Sequence, residues 1–196
     1  MFKLTPIALI LFVTTAINFV VSYISWRRRE IRGGLYFALG MMSITLWTLA
    51  VGLGYAAVPL GLKIFFAKLD AVGYHSALVL LVIYAMYFAG LDEWAEKKWL
   101  RTILFLLPAF NTLLIITNEW HGWIWRGFKA LENNIVVFEH GPGFFWLTLT
   151  EYPMYISIIV ILWFASRKGS DILRRQTRLL FYASLFPIIA NMVYLF

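Results

Sequence analysis

The sequence predicts an all-α, polytopic membrane protein: a helix bundle of six spans, N-terminus outside, with a small extracellular hairpin between spans four and five. Three observations carry this expectation. Of 196 residues, 62% are hydrophobic and 14% charged, with a mean hydropathy of +0.78, whereas a soluble domain is roughly half apolar and a quarter charged. The apolar residues form long runs, each near the roughly 20 residues that a hydrocarbon core of about 30 Å asks of a helix. The 17 Lys and Arg residues fall in the short segments between these runs. A net charge of +7 placed that way sets topology and argues against a nucleic-acid partner.

Taken in order, the spans are expected at about 5–25, 35–57, 64–90, 100–117, 143–166 and 177–196, within a single transmembrane domain over 1–196. The first, in MFKLTPIALILFVTTAINFVVSYISW, is too long for a signal peptide and has no small-residue cleavage site followed by soluble sequence. Arg27, Arg28, Arg29 and Arg32 follow it, Lys97, Lys98 and Arg101 follow span three, and Arg167, Lys168, Arg174, Arg175 and Arg178 follow span five. These 12 basic residues share one side of the membrane, against 5 (Lys3, Lys63, Lys68, Arg126 and Lys129) on the other. Basic residues are retained in the cytoplasm, so the N-terminus is expected outside. Six spans then end outside at NMVYLF, which predicts a longer protein whose seventh span returns to the cytoplasm.

The sizeable outer segment is 118–142. It holds the β-prone runs WIWRGF and IVVFE around the turn-prone ENN, the pattern of a hairpin on the membrane surface. Trp120, Trp123, Trp125 and Phe128 suit the headgroup zone, where amphipathic rings concentrate. The same segment can act as a lid over a pocket.

Two acids fall inside spans: Asp70 and Glu151. Insertion of a charge at a helix centre costs about 2.5–3.5 kcal/mol, so intramembrane acids are functional candidates by default. At about 1.5 Å per residue, Glu151 lies roughly 12 Å below the outer surface, Asp70 roughly 9 Å, and His75 about 7–8 Å deeper than Asp70. Trp47, Asn18 and Asn191 reach the same layer from other spans, although single Asn and Trp residues also serve as interhelical glue. Tyr74 shares a helix face with Asp70, and Tyr155 with Glu151. Pro153 removes a backbone donor two residues beyond Glu151, leaving the carbonyl near 149 without its helical partner. Such a polar notch needs a pocket or a neighbouring helix, because lipid cannot satisfy it. Pro108 and Pro187 are expected to kink spans four and six. The candidate ligand-binding set is Glu151, Asp70, His75, Trp47, Tyr74, Tyr155 and Asn191.

The sequence carries no HExxH, GxSxG or glycine-rich phosphate loop, and no cysteine. His121 and His140 flank the hairpin, but a four-coordinate metal site needs further ligands. A retinal-type Schiff base needs a lysine in the bundle, and Lys63 and Lys68 stand near an outer end. No catalytic residues, metal or cofactors are expected.

Several stretches together resemble the seven-helix N-terminal membrane region of bacterial sensor histidine kinases. They are SWRRREIRGGLYFALGMMSITLWTLAVGL with Trp47, LPAFNTLLIITNEWHGWIW with Pro108, Asn118 and His121, HGPGFFW, and RRQTRLLFYASLFPIIANMVYL with Gln176, Pro187 and Asn191. The resemblance covers nearly the whole chain. It implies a sensory input domain in a bacterial plasma membrane whose outer half detects a cue and whose seventh helix relays it to a cytoplasmic kinase or similar output. The expected partners are the lipid bilayer, a small-molecule or lipid ligand of unknown identity and, as an open alternative, a second copy in a homodimer. The rival reading is a small intramembrane enzyme or proton-coupled transporter using Glu151 or Asp70.

Overall fold

The computed structural model describes residues 2–131, 134–167 and, within the segment beyond, 174–175, 178–179 and 181–182. The expected span 177–196, with Pro187 and Asn191, lies almost wholly outside the described residues. Five described helices are long and apolar enough to cross a membrane: α1 (Pro6–Arg27), α2 (Gly34–Ala56), α3 (Leu60–Phe88), α5 (Lys98–Ile116) and α7 (Pro142–Arg167). Two single turns, α4 (Asp92–Ala95) and α6 (Asn118–His121), and a hairpin of β1 (Trp125–Ala130) with β2 (Val136–His140) complete the order. The all-α membrane class holds.

Local signals explain the helix starts. Thr5 caps α1 by accepting from the Ala8 N–H at 3.1 Å, with Pro6 in the first turn, where a missing donor costs nothing. Gly33, at φ +71°, makes the left-handed turn into α2, and a Cβ there would lie 2.9 Å from Tyr87 Cβ.

The third helix starts at Leu60, four residues before the expected boundary at 64. Lys63 accounts for the difference. Its apolar stem is buried and its Nζ donates to the carbonyls of Gly54 at 3.1 Å and Asn134 at 2.7 Å, so the lysine is absorbed into the element. Pro59 supplies the extended residue before the first turn.

The α3 helix is the centre of the bundle, packing on α2, α5 and α7, while α1 packs on α2. Its C-terminal half contributes Leu78, Val79, Val82, Ile83, Ala85 and Met86 to the main core, joined by Met154, Ile158 and Leu162 of α7. At Gly73, a Cβ would stand 2.6 Å from the Trp47 N and 2.9 Å from the Ser43 carbonyl oxygen, so α2 and α3 meet there backbone to backbone. That approach depends on glycine and places Trp47 beside Tyr74, ring centroids 5.2 Å apart.

The hairpin is antiparallel, with Phe128 opposite Phe138 and a bulge between Trp125 and Gly127. Both ends are tied down. Asn118 Oδ1 accepts from the Ile124 and Trp125 N–H groups and its Nδ2 donates to the Trp125 carbonyl, all within 3.0 Å. At the tip, Asn134 Nδ2 donates to the carbonyls of Tyr55 and Ala57, both at 3.0 Å, completing the end of α2. Trp120 is exposed as a belt residue would be, whereas Trp125 packs against Phe128 and Phe138.

Candidate functional site

Three helices converge on Glu151. Tyr74 Oη donates to Oε2 at 2.8 Å, and His75 Nε2 lies 2.8 Å from Oε1. His75 Nδ1 lies 2.7 Å from Thr112 Oγ1 on α5. Asn111 Nδ2 reaches Glu151 Oε1 at 3.5 Å and donates to Thr150 Oγ1 at 2.8 Å, while its Oδ1 accepts from Trp146 Nε1 at 3.1 Å. The network joins α3, α5 and α7 through polar side chains in an otherwise apolar layer. His75 and Asn111 are buried, and the Glu151 side chain is 12% exposed.

Proton positions follow from the donor inventory. Thr112 Oγ1 lies within hydrogen-bond distance of both the Pro108 carbonyl, at 2.8 Å, and His75 Nδ1; we assign its single hydrogen to the carbonyl, which puts a hydrogen on Nδ1. The Nε2···Oε1 contact then holds a proton whichever partner owns it: imidazole against carboxylic acid, or imidazolium against carboxylate. Both forms carry the same net charge. A proton can therefore cross this contact without changing the charge buried in the bilayer, which a lone acid at that depth cannot do.

The contact also fixes the stagger of two parallel helices. His75 is fifteen residues into α3 and Glu151 nine into α7. Six residues at about 1.5 Å each put the N-terminal end of α3 about 9 Å farther from this contact than that of α7. The hairpin tip rests on that projecting end, at Lys63.

A cavity of about 250 Å³ opens beside the network, lined by Trp47, Asp70, Tyr74, His75, Glu151 and Tyr152 among others. Five of the residues singled out by sequence therefore share one chamber. Tyr74, grouped by spacing with Asp70, donates instead to Glu151. Tyr155 stands behind Tyr74, ring centroids 6.1 Å apart. Asn18 lies outside the chamber: its Nδ2 points to Thr48 Oγ1 at 3.5 Å and joins the contact of α1 with α2. Lys68 pairs with Glu119 and donates to the Ile116 carbonyl at 2.7 Å. It does not accompany Asp70. His121 accepts the Trp123 N–H at Nδ1, 2.9 Å, and His140 stacks on Phe144 at 3.6 Å. Among the described residues no three His, Asp or Glu side chains gather as a metal site.

Sequence reasoning passed over Asn111, Thr112, Thr150 and Trp146. The available signal was the placement of Asn111 and Thr112 one turn after Pro108, where a hydroxyl four residues on can bond the proline's own carbonyl.

A scan against protein families matches residues 10–196 to the N-terminal 7TM region of histidine kinase. The chain belongs to that family. The histidine-kinase 7TM region is a membrane input region and not a catalytic domain. Searches of curated proteins and of solved structures each find no match.

Proposed function

We propose that this 7TM region is the signal-input domain of a histidine kinase, detecting an extracellular or membrane-borne cue in its outer half and relaying it to a C-terminal cytoplasmic output domain. The observation that carries the reading is the Glu151 network. It is a polar junction of three helices at the wall of a chamber, so a cue that breaks or strengthens one bond acts on the relative placement of α3, α5 and α7. A ligand shifts such an equilibrium only by its differential affinity for the two arrangements, and a few kcal/mol covers most of the output range.

The test is kinase output from the protein with its output domain in native membranes, comparing wild type with Glu151→Gln and Asp70→Asn across pH and candidate ligands. A changed response in either variant supports the reading. Wild-type responses from both remove it. The proton shared by His75 and Glu151 keeps a second reading in play, a proton-coupled transporter, which predicts Glu151-dependent uptake into proteoliposomes lacking any output domain.

A further inference from the structure

Asp70 is a carboxylate without a partner. Among the described residues it has neither a hydrogen bond nor an ion pair, because the two nearby lysines are spent elsewhere: Lys63 on the Gly54 and Asn134 carbonyls, Lys68 on Glu119 and the Ile116 carbonyl. An isolated carboxylate in a low-dielectric layer is costly, and the cost is offset by taking up a proton or by pairing with a cation brought by something else.

The surroundings say what kind of cation. Asp70 borders two chambers. One is the 250 Å³ chamber it shares with Trp47 and Glu151; the other, about 310 Å³, is roofed by Ile135–Phe138 of the hairpin and walled by Ala50, Val51 and Ala67. A small inorganic ion asks for several oxygen ligands, and this second chamber offers one carboxylate among largely apolar walls, in which Tyr55 and Lys63 are the other polar side chains. An ammonium on an apolar body matches both parts: the charge meets Asp70, and the body fills the space under β2. Lys63 lines the same chamber, seven residues and so two turns farther out on the same face of α3. Its charge keeps a ligand's ammonium away from the outer end and directs it to Asp70.

We propose that the chamber beneath the hairpin is a binding site for small amphipathic ammonium compounds, with Asp70 as the counter-ion and the β2 side chains as the apolar wall. This rests on the reading of the outer half as the sensing region and names the ligand chemistry for it.

The experiment is calorimetric titration of the full chain in lipid nanodiscs with hexylammonium and with the neutral isostere hexan-1-ol, subtracting empty nanodiscs. Hexylammonium is expected to bind wild type and to weaken about ten- to a hundred-fold in Asp70→Asn, the worth of a charge-assisted bond. Hexan-1-ol is expected to bind wild type and Asp70→Asn alike, showing that the substitution leaves the chamber intact. No hexylammonium binding to wild type, equal binding to both proteins, or an equal loss for hexan-1-ol overturns the proposal. The sensor reading fails separately. Kinase output that depends on Glu151 while Asp70 binds no amine refutes the ligand class and leaves the sensor standing; amine binding through Asp70 with wild-type output from both Glu151→Gln and Asp70→Asn does the reverse.

Discussion

Glu151→Ala and Glu151→Gln separate two roles of one side chain. Alanine removes the acceptor of Tyr74 Oη and the partner of His75 Nε2, both at 2.8 Å, and strands two buried polar groups. In soluble proteins each stranded group costs about 1–3 kcal/mol, but inside membranes interhelical bonds average about 0.6 and reach about 1.7 kcal/mol. Two such losses give about 1–3 kcal/mol. Glutamine behaves differently because His75 carries its hydrogen on Nδ1, held by Thr112. The oxygen of the introduced amide can accept from Tyr74 while its NH₂ donates to the bare Nε2 of His75, so both close partners are met, the 3.5 Å approach of Asn111 Nδ2 is lost, and the expected cost is below about 1 kcal/mol. What disappears is the shared proton. Equilibrium unfolding in mixed detergent–SDS micelles, followed by helical circular dichroism, measures both variants. Equal destabilisation by glutamine and alanine, or an alanine variant as stable as wild type, refutes the proposed proton arrangement.

Further outcomes are expected elsewhere in the molecule. Gly73→Ala places a methyl 2.6 Å from a backbone nitrogen of α2, and such overpacking costs about 1–3 kcal/mol; the same unfolding assay reads it, and a change in Trp47 fluorescence should accompany it. Lys63→Met strands the Gly54 and Asn134 carbonyls and should free the hairpin tip, seen as faster amide exchange over 125–140 by about ten-fold per 1.4 kcal/mol lost. Burial pushes the His140 imidazole below its ordinary value of 6.5. The unfolded chain then binds more protons than the folded one, so this contribution to stability is present above pH 6.5 and is lost as pH falls below it. His140→Leu should flatten that part of the pH profile of hairpin amide exchange.

Much of the bundle was legible because burial in lipid is written in runs of residues. Length and hydropathy place α1, α2, α5 and α7 within about two residues, and the β-prone runs around ENN give the hairpin. The start of α3 was hidden because Lys63 reads as a loop charge until its two carbonyl partners are known. The site was partly legible for a similar reason. A carboxylate inside a span is conspicuous alone, so Asp70 and Glu151 stand out in the sequence. Which helices meet there depends on stagger and rotation, which one-dimensional spacing does not carry. The projection of α3 about 9 Å beyond α7 brings His75, not Asp70, level with Glu151. For the same reason Thr112 and Asn111, ordinary polar residues of a span when read singly, turn out to hold the histidine and the acid.

The central claim is that the junction of α3, α5 and α7 at Glu151, and not the helix contacts in general, sets the output. Autophosphorylation of the kinase-bearing protein in the same membranes tests it, comparing Glu151→Gln with Thr48→Val, a change in the contact of α1 with α2. Glu151→Gln is expected to shift basal or stimulated phosphorylation several-fold while Thr48→Val leaves it near wild type. Equal phosphorylation from wild type and Glu151→Gln, or an equal shift in both variants, contradicts it.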